Sequence, residues 1–334
     1  MPTCILAIES SCDDTSCAVC VDGKILSNEV ATQHIHEQYG GVVPELASRS
    51  HLKNIVPVVD IALKKAQVEL KDINAVAFTR GPGLLGSLLV GGMFAKAMAQ
   101  SLDVPLIDVH HIQAHILAHF IDEPKPKFPF LCLTVSGGHT QLVIVKDYLE
   151  MEIIGQTIDD AVGEAFDKTA KMLGLPYPGG PLIDKYAQTG DITKYKFSEP
   201  KIPELNFSFS GFKTQVLYFL QKQEKLNPNF IQENLADICA SIQYNLIKIL
   251  INKLKTASQQ FSINEIAIAG GVAANSELRK QLQSTANQLN WKVYIPDFQY
   301  CTDNAGMIAI TAYYKFLNNQ FCALDTPIQP RLNF

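Results

Sequence analysis

Ile5-Leu6-Ala7-Ile8-Glu9-Ser10 is an apolar run that ends in a turn, and two alternating segments around Asp22-Gly23 follow it. The same order returns in the middle of the chain. There, Leu131-Cys132-Leu133-Thr134-Val135-Ser136 runs into Gly137-Gly138-His139, and two further alternating segments follow. Short apolar and alternating runs bounded by turns are typical of β-strands. The repetition therefore predicts two related lobes, each opening with a three-stranded meander.

The second part of each lobe repeats as well. Ile73-Asn74-Ala75-Val76-Ala77-Phe78 enters a glycine loop and a helical pattern, and Ile263-Asn264-Glu265-Ile266-Ala267-Ile268 does the same. Each half then adds one more strand and one more helix. The first of these helices carries His111 and His115, and the second starts near Thr302. The pattern of each half therefore predicts the order strand, strand, strand, helix, strand, helix, strand, helix, which gives an α/β fold.

Pro124, Pro126 and Pro129 interrupt the pattern between the two halves. We therefore predict an N-terminal lobe of residues 1–125 and a C-terminal lobe of residues 126–334, and leave open whether the last helix packs back on the first lobe. Two lobes that each open with a hairpin meander resemble the actin, sugar-kinase and heat-shock-chaperone (ASKHA) superfamily. That resemblance implies a ligand in a central cleft between the lobes.

The composition excludes several classes of protein. The chain has 334 residues, with 28 Lys and Arg against 33 Asp and Glu, a net charge of −5. Any nucleic acid must therefore be held locally or with a partner protein. The first residues lack a secretion signal, and no apolar run reaches the roughly 20 residues that span a membrane. We predict a cytoplasmic protein without a membrane partner, whose eight cysteines are reduced thiols.

His111 and His115 are four residues apart and so share one face of a helix. They are either a pair of metal ligands or capping and packing histidines. Asp303 begins the corresponding helix of the second lobe and is predicted as a third ligand, as the N-cap of that helix, or as both. Two histidines and a carboxylate with open positions suit one iron or zinc ion per subunit.

Two glycine turns follow predicted strands. Ser136-Gly137-Gly138-His139 is either a tight turn or a place where bare backbone N–H groups meet an anionic oxygen. Gly270-Gly271 opens a helix, as an adenosine-binding loop does. Asn275 then either caps that helix or hydrogen-bonds to an adenine edge.

Over about residues 4–310 the chain resembles the TsaD family of bacterial tRNA adenosine threonylcarbamoyltransferases. The motifs that carry the resemblance occur in family order and include Glu9-Ser10-Ser11-Cys12-Asp13-Asp14-Thr15, Arg80-Gly81-Pro82-Gly83-Leu84, His110-His111-Ile112-Gln113-Ala114-His115, Ser208-Phe209-Ser210-Gly211-Phe212-Lys213-Thr214 and Cys301-Thr302-Asp303-Asn304. Ser10 and Gly306 depart from the usual Thr and Ala, and neither is a proposed ligand.

The resemblance implies transfer of a threonylcarbamoyl group from threonylcarbamoyl-AMP to the exocyclic amine of the adenosine 3′ of the anticodon, in tRNAs that read codons beginning with A. The implied metal ligands are His111, His115 and Asp303. The implied donor-binding residues are Thr134, Val135, Ser136, Gly137 and Gly138 at the phosphate and acyl end, Asp167, Gly180 and Asp184 at the ribose, and Asn275 at the adenine.

We also expect His139 to assist proton transfer from the attacking amine. The implied partners are tRNA, a TsaB-like paralogue, a TsaE-like ATPase and a TsaC-like synthase that makes the donor. The best candidate for a tRNA surface is a basic and aromatic stretch, which could equally be a solvated insertion. Its lysines are Lys185, Lys194, Lys196, Lys201 and Lys213.

Three other functions are compatible with parts of this pattern. An ATP-dependent kinase of the same fold would use magnesium and an acidic base, which the two-histidine pattern does not favour. A metalloprotease needs Glu directly after the first histidine, where this chain has Ile112. A nucleotide-dependent scaffold would bind nucleotide without metal dependence and leaves the three predicted ligands unexplained.

Overall fold

Two compact units make up the chain, and the computed structural model describes residues 2–200 and 202–334. Unit 1 comprises Met1–Lys125, Tyr148–Glu150 and Pro296–Phe334, and unit 2 comprises Pro126–Asp147 and Met151–Ile295. The predicted C-terminal lobe comprises all of residues 126–334, and the sequence pattern does not decide whether the last helix packs back on the first lobe. In the structure that helix belongs to unit 1, so Asp303 lies in the same unit as His111 and His115.

A five-stranded sheet forms the centre of unit 1. Its strands are β1 (Cys4–Glu9), β2 (Asp14–Val21), β3 (Lys24–Thr32), β4 (Ala75–Gly81) and β5 (Leu106–His110). Their order in the sheet is β3-β2-β1-β4-β5, with β1 antiparallel to β2 and parallel to β4. The helices of this unit are α1 (Pro44–Ala66), α2 (Leu85–Leu102), α3 (His111–Leu117), α9 (Phe298–Cys301) and α10 (Ala305–Leu317).

Side chains of this sheet alternate between its two faces, as the strand pattern requires. Ala7 and Ala77 pack with Ile308 and its neighbours on α10, while Leu6 and Phe78 pack against α1 and α2. The apolar side of α10 explains why it belongs to unit 1, since burying a large aliphatic side chain contributes about 1.5–3 kcal/mol. Cys17 and Cys20 lie on opposite faces of the sheet, and all eight cysteines are free thiols, as predicted.

Unit 2 repeats the strand order of unit 1. Its strands are β6 (Phe130–Val135), β7 (Thr140–Asp147), β8 (Glu150–Gln156), β9 (Glu265–Ala269) and β10 (Lys292–Tyr294). The sheet order is β10-β9-β6-β7-β8, with β6 antiparallel to β7 and parallel to β9. Reading each sheet from its third strand gives the order third, second, first, fourth, fifth in both. The duplication predicted from the sequence is therefore confirmed.

The second half has more helices than predicted, including the short helix α9 between β10 and α10. Four helices replace the single helix expected between the third and fourth strands, namely α4 (Val162–Met172), α5 (Gly179–Ala187), α6 (Ser210–Glu224) and α7 (Phe230–Phe261). Helix α8 (Ser276–Leu289) follows β9 as predicted. Short 3₁₀ helices lie at His34–Tyr39, Leu70–Asp72, Ala118–Phe120 and Gly271–Ala274. Within the described residues, no helix is both long enough and apolar enough to cross a membrane.

Gly163 and Gly211 provide a matched test of close packing in unit 2. A Cβ on Gly163 would lie 2.5 Å from the backbone oxygen of Ser136, whereas one on Gly211 would meet nothing within 4 Å. We expect Gly163→Ala to lower the free energy of unfolding by about 1–3 kcal/mol, because the backbone oxygen cannot move aside freely. Gly211→Ala should raise it by about 0.5 kcal/mol. Urea unfolding measures both, and equal effects would contradict this account.

Candidate metal centre and glycine turns

Strand β5 leads directly into the helix that carries the two predicted histidine ligands. His110 is the last residue of β5 and the N-cap of α3, where its Nδ1 accepts hydrogen bonds from the backbone N–H groups of Ile112 (3.2 Å) and Gln113 (3.5 Å). One turn of helix then separates His111 from His115. Their ring centroids lie 4.8 Å apart, with the ring planes nearly perpendicular at 87°.

Asp303 lies just before α10, and the structure corrects its predicted role as a helix cap. Asn304 is the N-cap, and its Oδ1 accepts a hydrogen bond of 3.0 Å from the backbone N–H of Met307. The Asn304 side chain also donates to the carbonyl oxygen of Thr302 at 2.9 Å. Because the cap is supplied by its neighbour, the carboxylate of Asp303 is free to point away from the helix.

The structure brings the three predicted metal ligands together within unit 1. Asp303 Oδ1 lies 3.2 Å from His115 Nε2 and 3.4 Å from His111 Nε2. One ligand atom from each residue falls within 4.8 Å of the other two, and both histidines are buried. Two imidazole nitrogens and one carboxylate oxygen are a donor set that zinc and iron accept. The cluster is therefore a candidate metal site.

The three groups strongly perturb each other's protonation. Burial disfavours the charged form of His111, but the carboxylates of Asp303 and Glu9 outweigh it and raise the pKa of His111 well above its usual value. Burial would likewise raise the pKa of Asp303, but His111 overcomes it and holds the pKa far below its usual range. Burial lowers the pKa of His115. Because a metal ion binds the neutral imidazole, a cation at this cluster would compete with protons for His111.

Glu9 orients His111 from the end of strand β1, a role that the sequence analysis did not assign. Its Oε2 lies 3.2 Å from His111 Nδ1 and accepts a hydrogen bond from Thr79 Oγ1 at 2.5 Å, while Oε1 accepts one from the backbone N–H of Ser11 at 2.5 Å. Ser11 Oγ also lies 3.2 Å from His111 Nδ1. A carboxylate that holds the second nitrogen of a histidine ligand fixes its ring and increases its basicity.

A signal for Glu9 was present in the sequence. In the sequence, Glu9 is a carboxylate at the end of a wholly apolar strand. In the structure, its side chain is completely buried. Buried carboxylates are rare unless they are paired. His115 differs from His111, because its Nδ1 is buried without a hydrogen-bond partner among the residues that the structure describes. The orientation of His111 is thus fixed more firmly than that of His115.

The predicted donor-binding residues lie in unit 2, beginning at the end of β6. Thr134 and Val135 end that strand, and the turn after it closes with a hydrogen bond of 2.8 Å from the backbone N–H of Ser136 to the carbonyl oxygen of His139. An added Cβ on Gly137 or Gly138 would meet nothing within 4 Å. Packing inside the described chain therefore does not require glycine at these two positions.

Asp167 and Gly180 contact each other at the start of helix α5. The Oδ1 atom of Asp167 accepts hydrogen bonds from the backbone N–H groups of Gly179 (2.8 Å) and Gly180 (3.1 Å). Burial raises the pKa of the Asp167 carboxyl, and these two hydrogen bonds oppose that increase. The predicted ribose-side residue Asp167 thus also caps the first turn of α5.

Asp184 and Asn275 join α5 to the start of α8. The carboxylate of Asp184 accepts hydrogen bonds from the backbone N–H (3.0 Å) and the hydroxyl (2.6 Å) of Ser276. Asn275 is the N-cap of α8, since its Oδ1 accepts from the backbone N–H of Leu278 at 3.0 Å, and its Nδ2 donates to Gln243 at 2.9 Å. The capping alternative is therefore observed. Among the residues that the structure describes, these contacts use one amide hydrogen and one lone pair of the Asn275 side chain, which has two of each.

The chain has a duplicated α/β fold, and its first unit carries a candidate metal centre. Solved structures with this fold include HypF from T. kodakarensis, with a TM-score of 0.64, 15% identity, and coverage of 96% of this chain and 48% of that chain. Component A of the (R)-2-hydroxyglutaryl-CoA dehydratase from Acidaminococcus fermentans matches with a TM-score of 0.54, 14% identity, and coverage of 94% and 98%. At such identities these similarities establish the fold alone.

Sequence comparison identifies the family. The family model described as "TsaD: tRNA N6-adenosine threonylcarbamoyltransferase" matches residues 24–310. A tRNA N6-adenosine threonylcarbamoyltransferase from Christiangramia forsetii is 62% identical over 333 residues, which cover 99% of this chain and 98% of the relative. Its counterpart from Cytophaga hutchinsonii is 59% identical over 332 residues, with coverage of 99% and 97%. The chain belongs to the TsaD family of tRNA-modifying transferases.

Replacing Glu9 tests its role in orienting His111. We expect Glu9→Gln to weaken binding of Zn²⁺ by about 10- to 100-fold, because an amide cannot accept hydrogen bonds from all the donors around that carboxylate. Competition with a chromophoric chelator measures the affinity. Glu29→Gln is the matched control, because the carboxylate of Glu29 pairs with the exposed Lys65 and lies outside the ligand cluster. Equal affinities of the two variants would contradict the assigned role.

Proposed function

We propose that this chain transfers the threonylcarbamoyl group of threonylcarbamoyl-AMP to the exocyclic amine of the adenosine 3′ of the anticodon, in tRNAs that read codons beginning with A. The products are the threonylcarbamoyladenosine of the tRNA and AMP. The observation that carries the proposal is the cluster of His111, His115 and Asp303 in a chain 62% identical to a named tRNA N6-adenosine threonylcarbamoyltransferase. We infer that the reaction takes place in the cytoplasm.

The proposed metal ligands are His111, His115 and Asp303, and the proposed ion is one Fe²⁺ or Zn²⁺ per subunit. When bound, such an ion supplies a Lewis acid that can polarise a carbonyl oxygen. The protein's own contribution is to hold the ligands in place. Glu9 fixes the ring of His111, and Asn304 caps α10 so that the Asp303 carboxylate does not have to.

The proposed donor site is built from backbone groups and carboxylates of unit 2. The space beside Gly137 and Gly138 supports a close approach of the donor phosphate, since any Cβ there would occupy it. Thr134, Val135 and Ser136 line the same end of the donor. Asp167, Gly180 and Asp184 are assigned to the ribose and Asn275 to the adenine. A carboxylate and an amide can each make more hydrogen bonds than the internal contacts of Asp167, Asp184 and Asn275 use.

The chemistry requires little covalent participation by the protein. The donor is a mixed anhydride, so the amine nitrogen of the adenosine bonds to the carbamoyl carbon while the bond from that carbon to the phosphate oxygen breaks. AMP leaves with the electron pair of that bond. The amine must be positioned and the leaving phosphate stabilised, and no protein nucleophile is needed. We assign to His139 the removal of a proton from the amine.

The proposed partners are tRNA, a TsaB-like paralogue, a TsaE-like ATPase and a TsaC-like synthase that makes the donor. Two lysines of the predicted tRNA surface are paired internally. Lys194 lies 2.6 Å from Asp237, and Lys213 lies 2.9 Å from Asp160; Lys201 is outside the described residues. Paired lysines attract phosphate weakly, which supports tRNA binding shared with a partner. The kinase and metalloprotease alternatives are not favoured, since the family is named for transfer of a threonylcarbamoyl group to tRNA adenosine rather than for phosphoryl transfer or proteolysis.

Removing a metal ligand should abolish both metal content and transfer. We expect His111→Ala and Asp303→Ala to lose bound metal and to lose more than the roughly 100-fold in activity that changes of outer-shell partners cost. The assay is transfer of labelled threonine to unmodified tRNA in the presence of TsaB, TsaC and TsaE proteins, with metal analysis of the same samples. His34→Ala is the control, since that histidine is exposed on the surface. Full activity of both ligand variants would refute a catalytic metal.

The role of His139 is tested separately. If His139 removes the proton, His139→Ala should lower the transfer rate by about 100-fold or more at unchanged metal content, as loss of a general base does. Single-turnover transfer to tRNA is the measurement. Unchanged turnover would remove His139 from the mechanism and leave the proton to solvent or to the departing phosphate.

A further inference from the structure

Residues 326–334, called the strap here, run across the glycine loop between β4 and α2. The backbone N–H of Gln329 donates to the carbonyl oxygen of Arg80 (3.0 Å), and the backbone N–H of Gly83 donates to that of Pro330 (3.1 Å). The strap is held from the side by Arg80, whose Nε donates to the carbonyl oxygen of Pro327 at 3.1 Å. Lys96 Nζ donates to the carbonyl oxygen of Thr326 at 2.6 Å.

The glycine loop is shaped to receive the strap. Gly81 has a φ of +154°, and a Cβ at this position would overlap the carbonyl oxygen of Gln329. A Cβ on Gly92, on the adjoining helix α2, would lie 2.5 Å from Ile328 Cδ1. Glycine is therefore needed at position 81, where the strap's backbone lies, whereas a side chain at position 92 would displace only the end of the Ile328 side chain. This gives the Arg80-Gly81-Pro82-Gly83 motif a physical function that the transferase chemistry does not explain.

The far end of the strap reaches His110, the cap of the helix that carries the candidate metal ligands. His110 Nε2 lies 3.2 Å from the carbonyl oxygen of Leu332, and the His110 ring packs edge-on against Phe334 with centroids 5.3 Å apart. A carbonyl oxygen only accepts hydrogen bonds, so His110 must carry its proton on Nε2. The neutral ring then presents a bare Nδ1, which is the atom that accepts from Ile112 and Gln113.

We propose that the strap is a positioning element for the metal centre, which acts by fixing the tautomer of His110. In the other tautomer, Nδ1 carries the proton and cannot cap α3. The first turn of α3 contains His111, so loss of the cap frees the backbone of a proposed metal ligand. The inference rests on the proposed function, because it assumes that His111, His115 and Asp303 hold a metal ion.

The experiment compares Zn²⁺ affinity in the isolated chain with and without residues 331–334, by competition with a chelator. Deletion removes the carbonyl group of Leu332 and the ring of Phe334. We expect an affinity about fivefold weaker, which is the size of a lost helix cap. The same deletion is made in His110→Asn, because asparagine accepts at an N-cap without any tautomer to fix. In that background the deletion should leave affinity unchanged within about twofold.

Each other outcome overturns the inference. An unchanged affinity after deletion in the wild-type background means that the strap does not position the centre. An equal loss in the wild-type and His110→Asn backgrounds means that the strap acts by general stabilisation rather than through the cap. If the intact chain binds no Zn²⁺, and His111→Ala behaves identically, the metal centre of the proposed function fails together with this inference. If the intact chain binds Zn²⁺ but the deletion does not weaken binding, this inference fails and the proposed function is unaffected.

Discussion

The carboxylate of Glu9 is completely buried, and three elements of unit 1 contact it. An unpaired charge at such a depth would cost several kcal/mol. Three elements remove that cost: the turn after β1 through the Ser11 N–H, strand β4 through the Thr79 hydroxyl, and helix α3 through His111 Nδ1. The same contacts that make Glu9 tolerable therefore fix the relative positions of β1, β4 and α3. A charge that is expensive to bury thus specifies where the candidate metal ligand His111 must lie.

Asp303 completes that arrangement from a segment that is distant in sequence. It lies nearly 200 residues from His115, yet helix α10 packs on the same face of the sheet as α3. Helices α3 and α10 are not connected to each other by a loop. The apolar face of α10 drives the association, and the polar contact follows from it, because hydrophobic burial is the larger and less directional contribution. The candidate metal site is thus a consequence of core packing rather than of local sequence.

Much of the fold and part of the candidate metal site could be predicted from the sequence. The other features could not, for physical reasons. Strand periodicity and the repeated order of elements predicted both sheets, because each strand carries its own alternating pattern. The placement of α10 in unit 1 was left open, since an amphipathic helix shows that it is buried but not which sheet buries it. A sequence pattern does not locate the end of a helix or strand to the exact residue. It therefore could not show that Asn304 rather than Asp303 caps α10, nor which groups contact Glu9.

The three histidines between residues 110 and 115 show why residue type alone could not assign the roles. His110 accepts hydrogen bonds from two backbone N–H groups and so acts as a cap, His111 lies beside the carboxylates of Glu9 and Asp303, and His115 lies beside Asp303. Each nitrogen of an imidazole can donate or accept a hydrogen bond. The partner at one nitrogen therefore decides which role the other nitrogen can take. For His110 that partner is a carbonyl oxygen more than 200 residues away. The spacing of histidines predicts a face of a helix, and only the tertiary partners distinguish a cap from a ligand.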